Sequence, residues 1–293
     1  DVQKLLQLAM EIKQNRKKYS TALEGTTMAL VFEKPSLRTR VTFETGIFQM
    51  GGQGTYLAPG DIGLGKRETV PDVARNLSRW VDVIVARTFA HKTVVDLAKY
   101  ATIPVVNALS DQEHPCQALA DLMTLQEKWG SLAGKRMAYI GDGNNVSNSL
   151  LLLCALTGTF LAVATPQGYE IPAEMVDQAR SLAGGKKDGF LLTHDPVEAV
   201  KGSMAVYTDV WASMGSEHEA EKRRKDFAAF QVNEELMKHA APGCLFLHCL
   251  PAHRGEEVTD GVLDGPGSVV FDQAENRLHM QKAILYRLMA ERI

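Results

Sequence analysis

Short solid runs of apolar residues alternate along the chain with stretches in which apolar residues recur every three or four positions. Solid runs suit strands buried on both faces, and the recurring pattern suits helices with one apolar face. Leu5, Leu8, Ala9 and Ile12 among Gln and Lys predict an amphipathic opening helix, not a signal peptide. A first group of strands is expected at Thr27 to Phe32, Val81 to Arg87 and Ile103 to Ala108. Helices are expected around Val41 to Met50, Val70 to Trp80, Thr93 to Tyr100 and Pro115 to Trp129. Gly130, Gly134 and Lys135 form a polar joint. Beyond it, strands are expected at Arg136 to Gly141, Phe160 to Thr165, Phe190 to Thr193, Met204 to Thr208, Cys244 to His248 and Val269 to Phe271. Helices there start near Asn145, Pro172, Pro196 and Asn233. A last helix, Ala274 to about Arg292, is amphipathic enough to pack back on the first group. The expected fold is α/β: two lobes, each a mainly parallel sheet covered by helices, with the active site in the cleft between them. The domains are expected at 1–130 and 131–275, with residues 276–293 returning to the first.

Size and charge narrow the function without naming it. A chain of 293 residues suggests about two domains, because single cores stop growing near ~250 residues. The balance of 32 Lys and Arg against 35 Asp and Glu, a net charge of -3, gives no reason to expect nucleic acid or an anionic membrane as a partner. No apolar run approaches the ~18 residues of a membrane span. Cys116, Cys154, Cys244 and Cys249 contain no C-x-x-C pair, which suits a reducing compartment better than a disulfide framework. A cytoplasmic location is expected, or an organelle matrix if a leader once preceded Asp1.

The most informative stretch is Phe32-Glu33-Lys34-Pro35-Ser36-Leu37-Arg38-Thr39-Arg40-Val41-Thr42-Phe43-Glu44. Pro35 pushes the chain out of helical geometry, while Leu37, Val41, Glu44 and Phe48 recur at helical spacing up to Gly51-Gly52. Ser36 is therefore a candidate N-cap, with Leu37, Arg38 and Thr39 in a first turn whose N–H groups have no intrahelical acceptor. Arginines are misplaced at the positive end of a helix dipole unless an anion sits there. A phosphate on free N–H groups, two hydroxyls and two guanidinium groups would satisfy all of them. The plain alternative is a capped helix whose arginines pair with surface carboxylates.

Other candidate residues also follow strands, where open parallel sheets bind ligands: Arg87, Asp142 to Asn145, Asp209 and His248 to Leu250. Gly141-Asp142-Gly143 imitates a dinucleotide fingerprint. Its third glycine position holds Val146, however, and no acid follows the next strand at Thr165-Pro166. Asn144 and Asn145 suit a small zwitterion's carboxylate, or simply cap a helix. His114-Pro115-Cys116-Gln117 offers an imidazole and an amide for a carbamoyl-like group, beside the ordinary reading of a turn histidine. His248-Cys249-Leu250-Pro251-Ala252-His253-Arg254 admits a nucleophilic thiolate, a zinc site or a binding loop, but no spaced second pair completes a tetrahedron. Asp209, in Thr208-Asp209-Val210-Trp211-Ala212-Ser213-Met214-Gly215, suits an ammonium. The charges from Glu217 to Asp226 read as a solvated face.

Taken in order, the Ser36 stretch, His114-Pro115-Cys116-Gln117, Asp209 to Gly215 and His248-Cys249-Leu250-Pro251 closely resemble the motifs of the ornithine carbamoyltransferases. These belong to the aspartate/ornithine carbamoyltransferase superfamily, and the likeness runs over nearly the full length. The resemblance implies that Ser36, Leu37, Arg38 and Thr39 hold the phosphate of carbamoyl phosphate. Arg87, His114, Gln117, Cys249, Leu250 and Arg277 would hold the rest of that substrate. Asn145, Asp209, Ser213 and Met214 would bind the α-groups of L-ornithine. Arg87, His114, Cys249 and Asp209 are its implied catalytic residues. It implies neither metal nor organic cofactor, and a homotrimer or an assembly of trimers. Leu37 stands where the family often has Thr, and Gly63 where relatives carry a polar side chain reaching a neighbouring subunit. A carbamoyltransferase for another amine such as putrescine, an NAD-dependent oxidoreductase and a non-catalytic homologue are the other readings.

Overall fold

The structure, a computed structural model, describes residues 1–184, 189–212 and 219–290. It divides into two compact units: Asp1–Met123 with the chain from Glu275 onward, and Thr124–Ala274.

In the first unit α1 (Val2–Gln14) is followed by β1 (Thr27–Phe32), α2 (Leu37–Phe48), β2 (Gln53–Leu57) and α3 (Pro59–Ile62). Next come α4 (Val70–Trp80), β3 (Val83–Arg87), α5 (His91–Tyr100), β4 (Val105–Leu109) and the start of α6 (Pro115–Trp129). The sheet has four strands in the order β2-β1-β3-β4, every pair parallel. β1 and β3 are buried nearly throughout, which is why they read as solid apolar runs. Ala29, Val31, Ile84 and Ala86 meet Val73, Leu77, Val94 and Leu97 of α4 and α5 in one core. α4 starts where the sequence predicts, because Thr69 accepts a hydrogen bond from the Asp72 N–H and proline occupies its first turn.

The second unit holds β5 (Arg136–Ile140), α7 (Asn145–Thr157), β6 (Phe160–Ala164), α8 (Ala173–Leu182), β7 (Phe190–Thr193) and α9 (Pro196–Val200). β8 (Ala205–Thr208), α10 (Ala220–Asp226), α11 (Glu234–Met237), β9 (Leu245–His248) and α12 (Asp260–Leu263) follow. α13 (Val270–Met289) begins in this unit and ends in the first. Five strands lie in the order β7-β6-β5-β8-β9, again all parallel.

Both sheets therefore reverse their winding direction at one place, between β1 and β3 in the first and between β5 and β8 in the second. Loops leaving adjacent strands there run to opposite faces and open a crevice at the strands' C-terminal ends. Ser36 and Arg87 flank the first such point. Asn144 and Asp209 flank the second.

Two local expectations are corrected, and one strand is found that the sequence does not announce. Val269 to Phe271 is not a strand: Val270 and Phe271 open α13, and Phe271 is 74% exposed, so an apolar triplet belongs to a helix end and not to a buried sheet. β2 is a strand that apolar periodicity does not reveal, since Gln53, Gly54 and Thr55 lie at a half-exposed sheet edge. Within the charged stretch, residues 220–226 form α10, and Arg223 is largely buried instead of solvated.

Candidate active site

The first unit's site begins where β1 ends. The Glu33 N–H donates to the Arg87 carbonyl at 2.8 Å, and Phe32 lies opposite Arg87 in register. This holds the start of the loop against the end of β3. After Pro35, Ser36 is extended (φ -159°, ψ 122°), and its Oγ accepts from the Thr39 N–H at 3.2 Å. Ser36 is thus the N-cap of α2, whose first turn contains no acid. The Leu37 side chain is 73% exposed, so what this residue brings to the turn is its backbone N–H.

Thr39 is buried, and its Oγ1 accepts from Arg277 Nη2 at 3.0 Å. Arg277, on α13, also donates through Nη1 to Gln117 Oε1, and Gln117 Nε2 donates to Asp121 Oδ1 at 2.7 Å. One guanidinium thus ties α2 to α6. His114 lies buried just before α6. Burial holds its pKa well below the usual histidine value, and Arg277, Arg87, Lys34 and Arg38 push it down further. The imidazole is therefore neutral at pH 7. Lys34 is buried as well, with its ammonium 4.9 Å from the Phe89 ring centroid. Its pKa is lowered first by burial and then by Arg87. Cations crowded about a buried imidazole and a helix N-terminus repel one another, and a bound oxyanion would relieve that repulsion. The structure brings Ser36, Thr39, His114, Gln117 and Arg277 together in this way, with Arg38 and Arg87 within electrostatic reach of His114.

In the second unit Asp209, buried just after β8, is the hub. Its Oδ2 accepts from Asn144 Nδ2 at 2.9 Å, and its Oδ1 from Cys249 Sγ at 2.9 Å and from the Val210 N–H at 2.8 Å. β8 and β9 pair with Thr208 opposite His248, so residues 209 and 249 leave the sheet side by side. Asn144 is the N-cap of α7: its Oδ1 accepts from Val146 N at 2.9 Å and from Ser147 N at 3.2 Å. Asn145 is the first residue of that helix. Leu250 has φ 59° and precedes a cis peptide bond to Pro251; its N–H donates to His248 Nδ1 at 2.8 Å. Ser213 and Met214 lie outside the described residues.

Local packing and pairing account for two of the ligand-like patterns. A Cβ at Gly143 would lie 2.4 Å from the Glu170 carbonyl carbon, so this glycine lets the loop pack against the chain after β6 and needs no dinucleotide. His248, Cys249 and His253, the zinc candidates of their stretch, are divided. Donor atoms of Asp209, His248 and Cys249 lie within 4.8 Å of one another, whereas His253 groups with Glu256 and Glu257. His248 already uses both ring nitrogens, toward Leu250 and toward Glu257.

Sequence reasoning missed Asn144 as the amide that meets Asp209, because adjacent asparagines cannot be told apart without the cap. It also missed Gln273, which accepts from the His248 N–H at 3.0 Å, and the pairing of Asp142 with Arg223 at 2.6 Å. Those partners are remote in sequence, and no spacing signals them.

Two parallel-sheet units, each with ligand-type residues at its switch point, define a two-domain α/β ligand-binding protein. Residues 1–127 match the family model of the aspartate/ornithine carbamoyltransferase carbamoyl-P binding domain, and residues 133–288 that of the Asp/Orn binding domain. The chain belongs to the aspartate/ornithine carbamoyltransferase family. Within it, the chain is 58% identical over 267 residues to the ornithine carbamoyltransferase of Thermococcus kodakarensis, covering 91% of this chain and 85% of that one. It is 57% identical to the anabolic enzyme of Pyrococcus furiosus, with the same two coverages. The solved structure of the Pyrococcus furiosus ornithine carbamoyltransferase superposes with a TM-score of 0.95 at 53% identity, covering 98% of this chain and 93% of that one.

Proposed function

We propose that this chain transfers the carbamoyl group of carbamoyl phosphate to the δ-amine of L-ornithine, giving L-citrulline and phosphate, as an enzyme of arginine metabolism. The observation that carries this reading is the Thr39–Arg277–Gln117 network beside the neutral His114 at the N-terminus of α2. In this reading Ser36, Leu37, Arg38 and Thr39 take the phosphate, Arg277 and Gln117 the carbamoyl group, and Asp209 with Asn145, Ser213 and Met214 the α-groups of ornithine.

The δ-amine must be neutral to attack the carbonyl carbon, although its solution pKa lies at about 10.4. As the C–N bond forms, charge gathers on the carbonyl oxygen, where Arg87, the His114 N–H and Thr39 stabilise it. The C–O bond to phosphate then breaks, and the departing phosphate accepts the amine's proton. Cys249 and Leu250 line the carbamoyl group, with Cys249 orienting the amine. The proposed reaction uses no metal or organic cofactor, because carbamoyl phosphate is already activated and positioning supplies most of the rate.

Formation of the carbamoylated amine from carbamoyl phosphate with L-ornithine, putrescine or L-aspartate as acceptor tests the assignment. Product with ornithine alone is expected. Faster turnover of putrescine, or no product from ornithine, would overturn it.

The assembly we propose is a homotrimer or a multiple of one. Leu37, Val41 and Phe48 form an exposed apolar stripe on α2, Phe48 being 78% exposed, and such stripes on soluble chains mark contact surfaces. Gly63 has a local reason to be glycine, since it closes α3 at φ 60°. Phe48→Glu is expected to shift the sedimentation coefficient from oligomer to monomer, removing about 1.5–3 kcal/mol of apolar burial per contact. An unchanged sedimentation profile would place the interface elsewhere. No described helix is long and apolar enough to cross a membrane. The four cysteines are unbridged, which supports a reducing compartment, the cytoplasm or an organelle matrix.

A further inference from the structure

Glu257 lies outside every role assigned above, yet it is fully buried against a buried histidine: both side chains of the His248–Glu257 pair are 0% exposed, and Nε2 is 3.2 Å from Oε1. The same Oε1 accepts from the His253 N–H, while Oε2 is buried without a hydrogen-bond partner. A carboxyl group held in this way is costly to bury. His248 Nδ1 accepts from the Leu250 N–H, so that nitrogen carries the lone pair and Nε2 carries the proton, which it donates to Glu257. Between His248 and Leu250 along the backbone stands Cys249, whose thiol donates to Asp209. Leu250, at φ 59°, is the only non-glycine residue with positive φ among the described residues, a conformation that surrounding structure must hold in place.

We infer that Glu257 is a positioning residue: by fixing the tautomer of His248 it holds the Leu250 backbone, and with it the Cys249 thiol, in place against Asp209. Glu257 touches no substrate in this arrangement. It acts through His248 in the manner of a carboxylate that orients a functional imidazole. Without it the imidazole can rotate or change tautomer, the Leu250 N–H loses its acceptor, and the strained turn relaxes.

This inference rests on the proposed carbamoyl transfer, and the test separates the two. In the wild-type enzyme, ¹⁵N NMR of histidine-labelled protein should show His248 as the Nε2–H tautomer, whatever reaction the enzyme catalyses. Glu257→Ala should lower kcat with ornithine by about 100-fold, the scale of a misplacement near 1 Å, while KM for carbamoyl phosphate stays within about twofold. Glu257→Gln, which keeps an acceptor oxygen, should recover most of that loss. The Nδ1–H tautomer in wild type would overturn the inference, as would a Glu257→Ala enzyme with unchanged kcat. A Gln variant as impaired as the Ala variant would also overturn it. If Glu257→Ala fails to fold, the tautomer measurement and the Gln variant still decide. Absence of citrulline from wild type, with the Nε2–H tautomer present, would count against the reaction and not against the positioning.

Discussion

Arg277→Met is expected to lower kcat/KM for carbamoyl phosphate by about 100- to 1,000-fold, the range for removing one preorganised donor from an oxyanion site, while leaving the fold nearly as stable as before. Two opposed effects set the stability. Thr39 Oγ1 and Gln117 Oε1 each lose a charged donor, costing about 1–3 kcal/mol. Against that, one of the four cations that act on the buried His114 is gone, and the methionine stem fills part of its space. The same change should raise the pKa of His114, because Arg277 is the second cause of its depression after burial. The sign for pH follows from linkage. His114 is held neutral in the folded chain, so below its unfolded value of 6.5 the unfolded state binds more protons and stability falls as pH falls. Arg277→Met should shrink that acid sensitivity. Steady-state kinetics and thermal melts between pH 5 and about 8, with and without inorganic phosphate, measure all three effects. A variant with unimpaired kcat/KM and the wild-type rise in Tm on adding phosphate would remove Arg277 from the site.

Crowded like charges explain why the proposed phosphate site stands out in the sequence. Arg38, in the first turn of α2, breaks the rule for a helix N-terminus, and natural sequences break such rules where function requires it. The central strands are equally legible, since burial on both faces confines the polar residues of β1, β3, β5 and β8 to their ends, at Thr27, Arg87, Arg136 and Thr208. What stays hidden is what depends on partners far along the chain. Asp209 and Cys249 are 40 residues apart, and only the pairing of β8 with β9 makes them neighbours. Glu256-Glu257 looks like a solvated acid pair, and nothing local says that one of them is sealed against His248. α10 is hidden because Ala220-Glu221-Lys222-Arg223-Arg224-Lys225-Asp226 has no apolar face for periodicity to find, and its anchor is the ion pair from Arg223 to Asp142.

Asp209→Asn probes the other half of the reaction, and its geometry makes the outcome sharp. The wild-type carboxylate accepts three hydrogen bonds, from Asn144 Nδ2, Cys249 Sγ and the Val210 N–H. An asparagine oxygen can keep the last two, but its NH₂ must then face the Asn144 NH₂, donor against donor. Asn144 cannot flip to relieve this without turning its Oδ1 away from Val146 and Ser147, the two N–H groups it caps on α7. The variant should lose about 1–3 kcal/mol of stability for the unmatched donors. It also loses the formal charge that Asp209 offers to an ammonium group. KM for ornithine should rise about 100-fold, equivalent to about 2.7 kcal/mol, while KM for carbamoyl phosphate changes little, because that substrate's phosphate contacts are assigned to the other unit. L-norvaline, which keeps the α-ammonium but lacks the δ-amine, tells which nitrogen Asp209 holds. If Asp209 receives the α-ammonium, norvaline stabilises the wild type in a thermal melt and not the variant. Norvaline stabilising both equally, with ornithine turnover still impaired, would move Asp209 to the δ-amine. Unchanged ornithine kinetics would take it out of the site.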